Sequence, residues 1–278
     1  MREQKIVQQT MGHPATVDSL ITDLANLGVR PGMILLVHSS LSTLGWVCGG
    51  PVAVVLALEQ LLGPQGTLVM PTHSSDLSDP ATWENPPVPP EWWGIIRQTM
   101  PAYQPDLTPT RGMGAIPECF RKQPGVQRSV HPQMSFAARG PKAAFITAHH
   151  SLAFGLGAES PLARLYDLEG WVLLLGVGHG NNTSLHLAEY RADYSGKKFI
   201  KSAAPVHFAG QRQWVEFEDL AWDDSDFEMI GENFTRQTGQ VRHGQVACAT
   251  ALLMPQRPLV DHAIKWMEKN RCTKEDMP

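Results

Sequence analysis

Residues 171–194 read WVLLLGVGHGNNTSLHLAEYRADY. The apolar run 171–175 has the length of a buried strand. It ends in Gly176 and Gly178, and the Asn-Asn-Thr-Ser cluster at 181–184 supplies side chains that cap a helix N-terminus. Beyond the cluster, His186, Glu189, Tyr190 and Asp193 fall at i, i+3, i+4 and i+7 and share one helical face. A strand therefore delivers, through a glycine turn, a helix whose first turns carry an imidazole beside a carboxylate. In α/β proteins ligands bind outside the carboxyl ends of the strands, so the catalytic centre is expected here.

Working outward, segment 14–30 shows helical periodicity through Val17, Leu20, Ile21, Leu24 and Leu27, with Gly28 as its C-cap. The short run 33–37 (MILLV) is a strand leading into a Ser/Gly loop. Segment 51–62 is a helix apolar on most of its surface, and 66–71 (GTLVMP) is the next strand. Strand, loop, helix, strand is a βαβ unit, which predicts a parallel sheet with helices packed on it. From 72 to about 129 prolines are dense and Trp83, Trp92 and Trp93 cluster. The interleaved aromatics argue for an ordered excursion above the sheet rather than a linker, with short helices at 92–100 and 114–125. Further on, the pattern predicts a strand at 133–138 and helices at 143–149 and 160–166. A hairpin at 204–209 and 213–217 flanks Gly210. A helix at 227–234, a strand near 245–254 and a last helix at 259–269 follow.

With 278 residues the chain is long enough for one large domain or two modest ones. Its 42% hydrophobic and 18% charged content is that of an ordinary soluble globular protein. No segment approaches the roughly 18 consecutive apolar residues of a membrane span, and MREQKIVQQTMGHP lacks a secretory h-region. Cytoplasm is the expected location, with no membrane partner. A net charge of −4 and the lack of a Lys/Arg block disfavour nucleic acid. Cys48, Cys119, Cys248 and Cys272 are scattered without a CxxC pair, which suits neither a zinc motif nor a disulfide framework. No metal is expected. The rival reading, a site of His179, His186 and Glu189 with His131, His149 or His150, matches no standard zinc spacing.

Three more stretches join the central one: VHSSLSTLGWVCGG (37–50), LVMPTHSSDLSDPATWENPPVPPEWW (68–93) and TPTRGMGAIPECFRK (108–122). Together they resemble the antibiotic N-acetyltransferases, whose best-known members are the aminoglycoside 3-N-acetyltransferases. The most specific piece is GVGxxxNTSLHLAEYR at 176–191, and the resemblance runs from about residue 16 to 266. It implies an α/β fold, a three-layer α/β/α sandwich with a largely parallel central sheet, distinct from the common small acetyltransferase fold. The chain would be a single domain over 1–278, with 72–129 as a substrate-binding insertion, working as a monomer or homodimer. Acetyl-CoA would be the donor, and the 3-amino group of a 2-deoxystreptamine aminoglycoside antibiotic the acceptor, with antibiotic resistance as the outcome. Family members often read GVGHDNNTS, whereas Gly180 stands here in place of the Asp. If that Asp orients the base or holds a substrate ammonium, this chain lacks it.

Acetyl transfer to an amine needs a neutral nucleophile and stabilisation of charge on the thioester oxygen. Histidine suits the proton transfer because its ordinary pKa, about 6.5, lies near working pH. His186 is expected to be the general base, with Glu189 fixing its tautomer as the acid of a catalytic triad does. For the oxyanion, backbone N–H groups at 181–184 or 39–41 and the Thr183 hydroxyl are available, although Thr183 and Ser184 read equally as helix caps. Loop 39–45 lies between a strand and an apolar helix, where amides can cradle phosphate, and carries no Gly-Lys-Ser/Thr. The resemblance makes it the site for CoA, with His38, Ser39, Ser40, Leu41 and Ser42 as contacts. Arg111, Met113 and Gly114 of TPTRGMG would join them, Arg111 as a bidentate phosphate partner. Ammonium groups of the acceptor call for carboxylates: Asp76, Asp79, Glu84, Asp193 and Asp224, with His179 nearby. Two other functions fit the same residues: an acyl-CoA-dependent N-acyltransferase for another small amine metabolite, and a sequestering protein without turnover.

Overall fold

The computed structural model describes residues 2–10 and 12–271; Cys272 lies outside the described residues. After α1 (Arg2–Gln9) comes α2 (Val17–Leu27), which starts on a reciprocal cap. The Ser19 N–H donates to the Thr16 hydroxyl at 3.2 Å, and the Thr16 N–H to the Ser19 hydroxyl at 2.9 Å. Strand β1 (Ile34–Ser39), α3 (Gly50–Leu62) and β2 (Thr67–Pro71) form the expected βαβ unit, with Leu35 opposite Leu68 in parallel register. Strand β5 (Trp171–Leu175) lies on the other side of β1, also parallel, with His38 opposite Leu174.

Outward from these three strands every pairing is antiparallel. On one side β4 (Phe136–Arg139) pairs with β2 and β3 (Gln127–Arg128) with β4; on the other β9 (Ala249–Pro255) pairs with β5 and β8 (Arg242–Val246) with β9. The order is β3-β4-β2-β1-β5-β9-β8. The sheet is therefore mixed, and the parallel pairing expected for most of it is confined to the centre. The single strand expected near 245–254 is instead the β8–β9 hairpin, turned at Ala247 with φ 51°. A connection that short can join only antiparallel strands.

The strands alternate between two cores, as the pleat requires. Leu35, Val37, Leu173 and Leu175 pack towards α2, α3 and α5 (Ala115–Phe120). Leu36, Val172 and Leu174 face the opposite core. That core is closed by α6 (Ala143–Thr147), α7 (Pro161–Asp167), α8 (Ser184–Arg191), α9 (Phe227–Thr238) and α10 (Gln256–Asn270). Helices on both faces of one sheet give the three-layer sandwich. Among the described residues no helix is long and apolar enough to cross a membrane.

Between β2 and β3 the chain makes its excursion, which includes α4 (Trp93–Thr99) and α5. Arg128 ties it back to the sheet, donating to the carbonyls of Thr72 (2.6 Å) and Pro105 (3.0 Å). The two-stranded hairpin β6 (Phe199–Phe208) and β7 (Gln211–Leu220) joins through Gln133, whose amide donates to the carbonyls of Leu77 and Ala203. Two buried histidines hold the same junction. His131 Nδ1 accepts from the N–H groups of Gln133 and Met134, which puts its proton on Nε2, donated to the Leu152 carbonyl. His150 bridges the Ser129 hydroxyl and the Gly155 carbonyl. These partners are protein atoms, and among the described residues no group of three His, Cys, Asp or Glu is placed to hold a metal ion.

Burial holds the His131 pKa down at about 4 and that of His150 well below the usual imidazole value. The unfolded chain takes up protons at these histidines as pH falls through about 6.5, while the folded chain does not. Their contribution to stability is therefore complete above about 6.5 and is lost as pH falls towards 4, by about 1.4 kcal/mol per pH unit for each histidine. The thermal unfolding midpoint should begin to fall near pH 6.5, above the carboxylate range. A midpoint flat from pH 7 to 5 would contradict this.

Candidate active site

β1 and β5 are neighbours in the sheet, yet the chain leaves them towards opposite faces. After Ser39 it passes through a 3₁₀ turn (Leu41–Thr43) to α3 in the first core. After Leu175 it passes through a second 3₁₀ turn (His179–Asn181) to α8 in the other. Adjacent parallel strands whose connections diverge leave a crevice at their carboxyl ends. Gly176 permits the divergence: its φ is 72°, and a Cβ there would lie 1.8 Å from Thr43 Oγ1.

Helix α8 brings His186 and Glu189 together at the crevice. His186 Nδ1 lies 2.9 Å from Glu189 Oε2, and Glu189 is fully buried. An ionised carboxylate only accepts, so the imidazole proton sits on Nδ1 and Nε2 keeps a lone pair. The other carboxylate oxygen, Oε1, accepts from the Asp223 N–H (2.7 Å), from Arg271 Nη1 (2.9 Å) and from the Tyr194 hydroxyl (3.4 Å). The rings of Trp222 and Phe227 flank His186 at 5.4 and 4.8 Å. The His186 side chain remains 14% exposed.

Two other imidazoles converge on this point. His38, the penultimate residue of β1, has Nε2 3.4 Å from Thr183 Oγ1, and His73, just past β2, stands edge-on to Phe136. Burial, reinforced by the nearby His186, holds the His38 pKa at about 3. Burial, with His38 and His186 adding to it, holds His73 at about 3 as well. Both rings are neutral at working pH. Thr183 occupies the N-cap position of α8 without making a capping bond. Asn182 Oδ1 accepts from the Ser184 N–H instead, so the Thr183 hydroxyl faces His38. Ser39 Oγ, His73 Nε2 and Asn182 Nδ2 are buried without a hydrogen-bond partner. Buried polar atoms are normally paired, and these three, at or just beyond the strand ends, suit contact with a bound molecule.

The remaining predicted residues divide. Ser40 and Ser42 bond each other through their hydroxyls at 3.2 Å in the turn after β1, with Leu41 packed against the first core. Arg111 returns to the end of β2, its N–H donating to the His73 carbonyl at 2.8 Å, and its exposed guanidinium pairs with Asp76 at 3.4 Å. Met113 is half-buried, and Gly114 is the N-cap residue of α5. Asp76, Glu84 and Arg111 line one cleft of about 420 Å³ with Trp83. Ser75 lines both this cleft and a pocket of about 260 Å³ that includes Trp222, whose ring centroid lies 5.4 Å from that of His186.

Other acids go elsewhere. Asp79 is committed to Arg97 (2.7 Å) and to capping a 3₁₀ turn. α8 stops at Arg191 and Ala192 is extended, so Asp193 lies beyond the helix and off the face expected for it. Asp224 is exposed in the turn before α9, its carbonyl accepting from the Phe227 N–H. His179 is buried against α9, where a Cβ on Gly231 would lie 2.1 Å from its ring. Sequence reading missed His73, Trp222 and Arg271. His73 carried a usable signal, its position at the carboxyl end of a parallel strand; the other two carried none.

Gly180 donates its N–H to Glu228 Oε1 at 2.8 Å, and a Cβ there would lie 3.5 Å from the same oxygen. An Asp at 180 would thus set two carboxylates side by side, which opposes ionisation of both. Gly180→Asp should lower the unfolding midpoint at pH 7 and lose most of that deficit near pH 4. An equal deficit at both pH values would contradict the charge argument.

Residues 36–268 match the family model described as aminoglycoside 3-N-acetyltransferase. Over 268 residues the chain is 47% identical to the SPbeta prophage-derived aminoglycoside N(3')-acetyltransferase-like protein YokD of Bacillus subtilis (strain 168), covering 96% of this chain and 97% of that one. The YokD crystal structure superposes with a TM-score of 0.93 at 46% identity, covering 96% and 98% of the two chains. AAC-IIIb, solved as a binary complex with CoASH, gives 0.83 at 33% identity over 96% of this chain and 100% of that one. AAC-VIa, solved bound to sisomicin, gives 0.83 at 32% identity over 93% and 99%. The chain belongs to the aminoglycoside 3-N-acetyltransferase family, a family of transferases.

Proposed function

We propose that the protein transfers the acetyl group of acetyl-CoA to the 3-amino group of a 2-deoxystreptamine aminoglycoside, with His186 as general base. The observation that carries this reading is the buried Glu189 carboxylate bonded to His186 Nδ1, which leaves Nε2 as the proton acceptor in a crevice at the strand ends. The CoA and sisomicin complexes of related proteins support the choice of donor and acceptor.

The donor thioester supplies the acyl group, and the turn after β1 suits its polar portion. Ser39 Oγ is buried and unpaired there, and the Ser40 and Ser42 hydroxyls are half-buried. Arg111 suits the phosphates if it releases Asp76, and the two side chains are 60% and 50% exposed. Asp76 and Glu84 then face a polycation in the cleft beside Trp83. His186 Nε2 takes the proton from the amine as its nitrogen attacks the thioester carbon, and Glu189 balances the imidazolium that results. The C–S bond then breaks to release CoA, whose sulfur takes that proton. Thr183 Oγ1, beside the neutral His38, is the side-chain donor nearest the helix start for the developing oxyanion. Acetylation removes an ammonium charge from the drug, which gives antibiotic resistance, and the cytoplasm is the proposed place of action.

Release of free thiol from acetyl-CoA, assayed across aminoglycosides with and without a 3-amino group, tests the reaction. Turnover should require that amine. His186→Ala should keep acetyl-CoA binding by calorimetry and lose roughly 10²–10⁴-fold in turnover, the range of a lost general base. Near-wild-type turnover in this variant would remove His186 from the role, and turnover only with other amines would change the acceptor.

A further inference from the structure

Arg271 lies one residue past α10 and three residues beyond the segment that matches the family model. Its side chain is only 9% exposed and four of its guanidinium hydrogen bonds go to protein. Nη1 donates to Glu189 Oε1 (2.9 Å) and Nη2 to the Asp223 carbonyl (2.6 Å). Nε and Nη2 hold both oxygens of Asp226, the N-cap residue of α9, at 2.8 and 2.6 Å. The guanidinium also lies 5.1 Å over the Tyr194 ring. One planar cation thus fixes Glu189 to α9 and to the 223 turn, gripping both oxygens of Asp226 in the fork geometry Arg provides and reaching Glu189 through a single N–H.

We infer that Arg271 is a positioning residue for catalysis: it locks the Glu189 carboxylate so that Oε2 faces His186, and its charge sets the pH at which the His186–Glu189 pair takes up a proton. The inference rests on His186 being the base. The guanidinium opposes adding a further positive charge to the pair, whereas Asp226 favours it. Other groups also face the pair: Tyr194 and Lys197 beyond α8, Asp219 on β7, His38 on β1 and His73 after β2. Substitutions at 271 and 226 leave all of these in place.

The test is the pH profile of kcat/KM, with thermal unfolding recorded alongside. Arg271→Gln should move the acidic limb upward by about one pH unit, a shift of the size neighbouring charges produce. Its plateau kcat should fall about tenfold while the KM for acetyl-CoA stays within about twofold. Asp226→Asn should move the limb the opposite way, and methylguanidinium should partly restore Arg271→Ala. Simple loosening of the fold would move neither limb and would allow no rescue. Limbs that stay put in both substituted proteins, with His186→Ala inactive, would overturn the inference. An active His186→Ala would instead overturn the reading beneath it. Should Arg271→Gln not fold, Asp226→Asn decides the matter by the direction of its limb.

Discussion

A carboxylate withdrawn completely from water dominates this molecule. Burying an ionised Glu costs several kcal/mol unless its oxygens are met by charge and by donors. Glu189 is met on every side: an imidazole at Oε2, and a backbone N–H, a guanidinium and a phenol at Oε1. Those partners come from α8 itself, the segment after it, the turn before α9 and the residue past α10. Much of the second core is thereby arranged around one charge. The result is an imidazole of fixed tautomer and fixed direction, which is the property a general base needs.

The direction matters because of what the sheet does beside it. The chain leaves β1 and β5 towards opposite faces, and the excursion between β2 and β3 returns to the end of β2, where the Arg111 N–H donates to the His73 carbonyl. His38, His73 and Thr183 reach the same place from three different segments. Burial keeps the first two imidazoles neutral, so in the proposed reaction they would bring hydrogen-bonding capacity without charge to repel an ammonium substrate. The acids that line the cleft, Asp76 and Glu84, would in the same reaction supply attraction where the approach is wet. Asp79, in the same proline-rich stretch, is spent on holding α4 through Arg97.

What could be read from the residues alone was whatever is local. The 171–191 stretch shows its strand, its glycine turn and its His–Glu spacing within one window, and the structure reproduces each of them. The βαβ unit was equally legible, because its periodicities change cleanly at Gly63 and Gly66. The antiparallel flanks were not legible, since an apolar strand reads alike in either direction and the tight turn at Ala247 carries no Asn-Gly or Gly-Gly. Asp193 was misplaced because a helical period says nothing of where a helix stops, and no glycine marks the end at Arg191. Arg271 stands 82 residues from its carboxylate, and only folding discloses that pairing.

The central claim is geometric: the acceptor amine must lie against His186 Nε2. A structure of the protein with CoA and a 2-deoxystreptamine aminoglycoside, determined together, measures this directly. The account predicts the 3-amino nitrogen within about 2.6–3.2 Å of Nε2, the reach of a general base, with Nδ1 still on Glu189. A 3-amino group held against another side chain, with His186 turned away from the acceptor, would contradict it.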